Sequence, residues 1–336
     1  MGQYLDSTYE ILQKLGSGGG GNVYLAEHKR LRKRVALKAD KRNAETEETY
    51  LRRETDILKN LNHPFIPRVY DYFIEDGISY TVMDYIEGYS LDRPLRDGLV
   101  YTQPDVIRIA VEMLSALHYL HTIPRGEGRI GYLHGDIKPA NVMRRPDGNI
   151  VLIDFNIALS LGDEDAVGVS PGYASPEHYG IDYSTQGLET MSYRTGSGET
   201  GADDPASRKT GTGPAPASAS VNRTGNGSVY NSSFSGSGYS SSSRVYPDVR
   251  SDIYGVGATL YHLLSGVRPA RDARAVTPLT GTGQLRMQQA SGQVAPLSSV
   301  RFSPEIVRIV SKSMQVNPDL RYQSAWEMLQ DFLQIR

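Results

Sequence analysis

Four consecutive glycines, Gly18 to Gly21, stand between two short runs of strand-like alternation, YEILQKL from Tyr9 and NVYLAEH from Asn22. No other feature limits the possible folds of this chain as much. With Gly16 ahead of them and Val23 behind, they write G-x-G-x-x-G-x-V through Gly16, Gly18 and Gly21. Glycine has no Cβ, so the backbone N–H groups of such a loop can come close to phosphate oxygens. A dinucleotide-binding turn also uses glycines, but it needs a helix directly after them and an acidic residue about 20 positions on. Here the strand pattern continues, first in NVYLAEH and then in RVALKAD. Strand, loop and strand predict an antiparallel flap lying over a nucleotide. Taken alone, the glycines leave a merely flexible hairpin open.

Downstream the periodicity changes. TEETYLRRETDILKNL sets Tyr50, Leu51, Glu54, Ile57, Leu58 and Leu61 at helical spacing, and ISYTVMDYIEG reads as a further strand running into a connector at Glu87 and Gly88. Beyond it helices dominate. DVIRIAVEMLSALHYLH carries an apolar stripe through Val106, Ile109, Ala110, Met113, Leu114, Leu117 and Leu120 that requires burial. VRSDIYGVGATLYHLLSG is apolar all round and so belongs at a centre, while PEIVRIVSKSM and SAWEMLQDFLQ are amphipathic. At 336 residues the chain suffices for two packed domains or one two-lobed domain. One segment interrupts the order. Over 182–246 Ser, Thr and Gly dominate, a composition too poor in apolar surface to offset chain entropy, so the sequence predicts a disordered insertion within a folded lobe.

The formal net charge of -2 offers no basic face for nucleic acid, and no nucleic-acid partner is expected. The absence of cysteine excludes disulfides and thiolate metal sites and fits a reducing compartment. The opening residues MGQYLDSTYEILQKLG lack the basic and then apolar stretch of a signal peptide, and no run approaches the ~18 apolar residues of a membrane span. A cytoplasmic location without a membrane segment is therefore expected. Gly2 and Ser7 only imitate a myristoylation signal, since the hydroxyl belongs where Asp6 stands. The triplets NRT, NGS and NSS match glycosylation acceptors by chance within a Ser-rich tract.

Six residues carry the chemistry. Lys38, in VALK, can reach nucleotide phosphates if a partner holds it inward, and Glu54 is the candidate partner. Asp136 and Asn141 lie five residues apart in HGDIKPANVM, and Asp154 follows in VLIDFN. Hard oxygen donors such as Asn141 and Asp154 suit Mg²⁺, which binds nucleotide phosphates through one or two carboxylates plus water. Asp136 fits the carboxylate that accepts the proton of an attacking hydroxyl, and Lys138 the cation that offsets charge on the transferred group.

With these residues in place the chain resembles a eukaryotic-type (Hanks-type) Ser/Thr protein kinase domain of the kind also common in bacteria. The resemblance covers nearly the whole length outside the insertion. It implies an α+β, bilobal fold: a small antiparallel lobe with one helix over 1–86, and a larger, mainly helical lobe over 87–336 containing the 182–246 insertion. It implies ATP as cofactor, with Mg²⁺ or Mn²⁺. The nucleotide contacts would come from Leu15, Gly16, Ser17, Gly18, Gly19, Gly20, Gly21, Asn22, Val23 and Ala36, from Lys38 held by Glu54, and from the hinge residues Met83, Asp84 and Ile86. Asp136 would be the base and Lys138 its cationic neighbour. Ser170 would bond both, and Asn141 and Asp154 would hold the metal. Glu177, in the Ser175-Pro176-Glu177 element, would pair with Arg321, and Asp252 would tie the central helix to the catalytic loop.

Two positions depart from the family pattern. Gly135 stands where His-Arg-Asp has arginine, the residue that makes many such enzymes depend on a phosphorylated activation loop. Its absence removes a regulatory contact and leaves the base, so activity is expected without loop phosphorylation. Asn156 replaces the glycine of Asp-Phe-Gly, and asparagine is among the residues most tolerant of left-handed backbone. The expected activity is phosphoryl transfer to Ser/Thr hydroxyls of proteins, the chain itself included. Phosphopeptide-binding domains are candidate partners for 184–243. Small-molecule kinases also write His-Gly-Asp in this loop, but they lack the combination of Lys138, Ser175-Pro176-Glu177, Asp252 and Arg321. The other alternative is a pseudokinase-like ATP-binding scaffold.

Overall fold

The computed structural model describes residues 4–18, 20–41, 55–126, 129–155, 170–179, 247–269, 297 and 301–335. All of them fall in one compact unit spanning 1–188 and 245–336. The predicted 182–246 insertion, Gly19, Glu54 and Asn156 lie outside the described residues.

The first part is a six-stranded antiparallel sheet: β1 (Tyr4–Leu5), β2 (Tyr9–Gly18), β3 (Gly21–His28), β4 (Lys33–Asp40), β5 (Val69–Glu75) and β6 (Ile78–Asp84), in the order β1-β2-β3-β4-β6-β5. The expected strands are β2, β3, β4 and β6. β1 and β5 were not anticipated, although β5 carries a clear hairpin signal. Asp76 and Gly77 alone connect Glu75 to Ile78, both at positive φ (50° and 73°), the conformation that Asp-Gly turns favour. Tyr9, Ala26, Val35, Leu37, Tyr80 and Val82 form the sheet's own core, with Phe73 stacked between Tyr9 and Tyr80. Of the expected helix before Leu61, a turn at residues 55–58 is described; Ile57 and Leu58 pack on the larger core that holds Leu61.

Beyond β7 (Tyr89–Ser90) come the short helix α1 (Asp92–Arg96) and the long α2 (Gln103–Thr122). Two hairpins follow, β8 (Pro124–Gly126) with β9 (Arg129–Ile130), and β10 (Val142–Arg144) with β11 (Ile150–Leu152). The chain is completed by α3 (Val249–Ser265), α4 (Pro304–Ser313) and α5 (Ala325–Leu333). The predicted stripe of α2 is buried throughout and shares one core with Ile253, Val256 and Leu260 of α3, Ile306 of α4, and Met328 and Phe332 of α5. α3 starts at a reciprocal cap between Asp248 and Ser251, ends at Gly266 (φ 70°), and is buried from Ser251 to Leu264. Two of its glycines permit close approach. A Cβ at Gly255 would come within 3.0 Å of Ile137, and one at Gly257 would overlap Ser313 at 2.1 Å. The central helix therefore lies directly beneath the HGDIKPAN loop, as its uniform apolarity requires. The two-lobed α+β architecture expected from the sequence is the one observed.

Candidate active site

Lys38 sits on β4 directly opposite Val23 of β3 and Thr81 of β6, so the sheet register alone brings the end of the glycine loop and the lysine together. A Cβ on Gly20 would touch Lys38 Nζ at 3.9 Å. The glycines divide by role. Nothing lies within 4 Å of a Cβ at Gly16 or Gly18, which leaves their backbone approachable, whereas a Cβ at Gly21 (φ 146°) would sit 1.9 Å from the Ala39 carbonyl. Gly21 is thus required by the packing of β4, a reason the sequence pattern did not disclose. Lys41 Nζ donates to the Gly18 carbonyl and pins the loop from outside.

Lys38 Nζ lies 2.9 Å from Asp154 Oδ1. Desolvation pushes the Asp154 carboxyl up, but the Lys38 ammonium more than offsets it and holds the group below its ordinary value. Asp154 has φ 58°, and the buried Phe155 behind it packs 4.6 Å from the His134 ring.

In the hinge, Met83 lies across from Ala36 and Val69. The Asp84 N–H donates to the Arg68 carbonyl at 2.9 Å, which takes that donor out of play. The Asp84 side chain is also fixed: it accepts from Arg68 N at 3.0 Å, from Tyr70 Oη, and from Lys33 Nζ at 3.3 Å. Lys33 and Tyr70 were not singled out from the sequence, since neither belongs to a motif; only the sheet register brings them to Asp84. Past Ile86, Gly88 (φ 137°) approaches so closely that a Cβ would stand 2.0 Å from the Arg144 carbonyl.

The loop from His134 to Asn141 brings the remaining expected groups together. Lys138 Nζ donates to Asp136 Oδ2 at 2.6 Å and lies 2.7 Å from Ser170 Oγ; the Ser170 hydroxyl donates to Asp136 Oδ1 at 2.6 Å. Both oxygens of the carboxylate are therefore held in place. Asn141 Nδ2 donates to the Asp136 carbonyl at 2.9 Å and to Asp136 Oδ2 at 3.0 Å. Its amide oxygen is left without a hydrogen-bonding partner among the described residues. The β10–β11 hairpin and the bond from Ile153 N–H to the Asn141 carbonyl at 2.9 Å put Asn141 beside the strand that leads to Asp154. Among the described residues no three His, Cys, Asp or Glu side chains gather as a metal cage. A cation here would rest on Asp154 and the Asn141 amide oxygen, completed by phosphate and water oxygens. That sparse hard-oxygen set fits Mg²⁺ bound with a nucleotide.

The loop is anchored from below. Asp252, 2% exposed, accepts from His134 N–H at 2.8 Å, from Gly135 N–H at 2.9 Å, and lies 2.9 Å from His121 Nε2. Burial raises the Asp252 carboxyl, but His121 and these donors outweigh it and lower it overall. His121 is the member of this network that no motif announced. Glu177 and Arg321, predicted to pair, form a two-pronged buried contact, with Arg321 Nη2 donating to Glu177 Oε2 at 3.0 Å and Ser251 Oγ to Oε1 at 2.9 Å.

The chain matches the protein kinase domain profile over residues 9–192. It belongs to the protein kinase domain family. Among curated relatives of this kinase domain, a probable serine/threonine-protein kinase of Streptomyces coelicolor is 30% identical over 97% of this chain and 40% of its own length. Serine/threonine-protein kinase PknB of Mycolicibacterium smegmatis is 27% identical over 99% of this chain and 44% of its own. The chain thus spans about two fifths of the length of these full-coverage relatives. The crystal structure of the PknI kinase domain of Mycobacterium tuberculosis superposes with a TM-score of 0.58 at 22% identity, covering 99% of this chain and 98% of that one, a likeness of fold.

Proposed function

We propose that this chain transfers the γ-phosphoryl group of ATP to serine and threonine hydroxyls of proteins, itself included. The contact among Asp136, Lys138 and Ser170 carries this reading. A carboxylate oriented through both oxygens is ready to take the proton of an incoming hydroxyl, and the ammonium 2.6 Å away offsets charge on the transferred group. In this reading the flap of Leu15 to Val23, Ala36, Met83 and backbone groups of Asp84 and Ile86 hold the nucleotide, and Lys38, steadied by Glu54, meets its phosphates. A divalent cation, Mg²⁺ or Mn²⁺, neutralises phosphate charge when bound; Asn141 and Asp154 would hold it.

Residues 1–86 then form the nucleotide-holding lobe and 87–336 the substrate lobe. The 182–246 insertion would act as an autophosphorylated tail that docks phosphopeptide-binding domains on 184–243. The proposed site of action is cytoplasmic; among the described residues no helix is long and apolar enough to cross a membrane.

Transfer of label from ATP to the protein and to a generic protein acceptor tests the reading. Asp136→Ala should lower transfer by about 10²–10⁴-fold, the usual worth of a positioned base. Label persisting at full rate in that variant would remove Asp136 from the role, and label on neither acceptor in the wild-type protein would favour a nucleotide-binding scaffold.

A further inference from the structure

Ser170 touches the proposed base, so the residue after it borders the place where an acceptor hydroxyl must arrive. At Pro171 the structure supplies a cation. α3 ends at Gly266, the chain turns, and Arg268 Nη2 donates to the Pro171 carbonyl at 3.0 Å. The guanidinium also lies 5.4 Å from the centroid of the Tyr173 ring, and Tyr173 Oη is 2.7 Å from His262 Nδ1 on α3. This contact spends one N–H of five. Arg268 is exposed and makes no ion pair among the described residues. Among the described residues, the acidic group that acts with Arg268 on Tyr173 and His262 is Asp92, which pairs with Arg96 at 3.0 Å. A guanidinium held by a carbonyl and an aromatic face has lost much of its rotamer freedom, so a carboxylate can bind it at reduced entropic cost.

We propose that Arg268 is a specificity-determining residue that favours acceptor hydroxyls flanked closely by an acidic side chain. This rests on the protein kinase reading above. The chain's own insertion offers both kinds of acceptor. Thr190 follows Glu189 and Thr200 follows Glu199, whereas no acidic residue occurs from 205 to 247, where Ser240 to Ser243 lie.

The test uses the full chain with serine peptides that differ only in carrying Asp or Ala at one position, from three before to three after the acceptor. It also uses two peptides copying 186–204 and 229–244. In the wild-type protein, kcat/KM should favour Asp next to the acceptor, and the 186–204 peptide, by about three- to tenfold, the size of one partly shielded ion pair. The preference should collapse toward one in Arg268→Ala through a rise in KM for the acidic peptides, and survive in part in Arg268→Lys. Equal use of Asp and Ala peptides by the wild type, a preference retained in Arg268→Ala, or an equal loss on both peptide classes each overturns the inference while leaving the kinase reading intact. No phosphate on any peptide or on a generic acceptor overturns that reading, and the inference with it.

Discussion

Gly135 donates its N–H to Asp252 Oδ1 at 2.9 Å while holding φ at 76°. The grip of the central helix on the loop thus requires left-handed backbone at the position where many protein kinases carry arginine. For an L-residue that conformation costs roughly 1–2 kcal/mol, and glycine avoids the cost. Gly135→Ala should therefore lower unfolding stability by about 1–2 kcal/mol, read from the denaturant midpoint. An unchanged midpoint would mean that the loop relaxes out of this conformation.

The same glycine brings no cation to meet a phosphorylated loop. Activity should therefore be indifferent to phosphorylation between Leu159 and Val169. Protein treated with phosphatase, and checked for loss of phosphate by mass spectrometry, is expected to keep the transfer rate of untreated protein. A rate lost on treatment and recovered with one phosphosite in that interval would show that another residue has taken over the role of the missing arginine.

How far the sequence disclosed this arrangement depends on the kind of constraint. Lys38, Asp136, Asn141 and Asp154 stood out by residue type, as a cation, carboxylates and hard oxygen donors, and the family resemblance gave their separations meaning. Glu177 and Arg321 were legible only through the family resemblance, being 144 residues apart. The central helix showed itself by uniform apolarity, and α2 by its stripe. What stayed hidden depends on three-dimensional register. Lys33, Tyr70 and Asp84 converge because β4, β5 and β6 lie side by side, and His121 reaches Asp252 across 131 residues. Gly21 stood out only as part of the glycine motif, and its further constraint, the close approach of the Ala39 carbonyl, is one that no spacing rule reports.

Ser170 allows a graded test of the proposed acceptor site. Its hydroxyl donates to Asp136 Oδ1 and lies 2.7 Å from Lys138 Nζ, so it ties base and cation together. Hydrogen bonds to charged groups contribute about 1.5–3 kcal/mol, equivalent to roughly 10- to 100-fold in rate if fully expressed in the transition state. Ser170→Ala should lower kcat by an amount in that range, and Ser170→Thr, which keeps the hydroxyl, should retain most of it. Equal kcat for the two variants would show that the hydroxyl is dispensable. Circular dichroism of both separates this from misfolding.

The pairing of Glu177 with Arg321 predicts how stability responds to acid. Burial alone pushes the Glu177 carboxyl up, but the Arg321 guanidinium, 0% exposed, outweighs it, and the net shift is downward from the ordinary value of 4.5. A carboxyl whose folded pKa is depressed stabilises the fold fully above its unfolded value and loses that contribution as pH falls through the folded one. Thermal melts should therefore show the wild-type protein losing stability below about pH 4.5. Glu177→Gln leaves Arg321 buried without its counter-charge, so stability at neutral pH should fall by about 3–5 kcal/mol, the cost of breaking a buried pair. The variant should also lack the acid step, because nothing titrates at that position. Wild-type and variant curves that run parallel below pH 4.5 would show that other carboxylates govern the acid response.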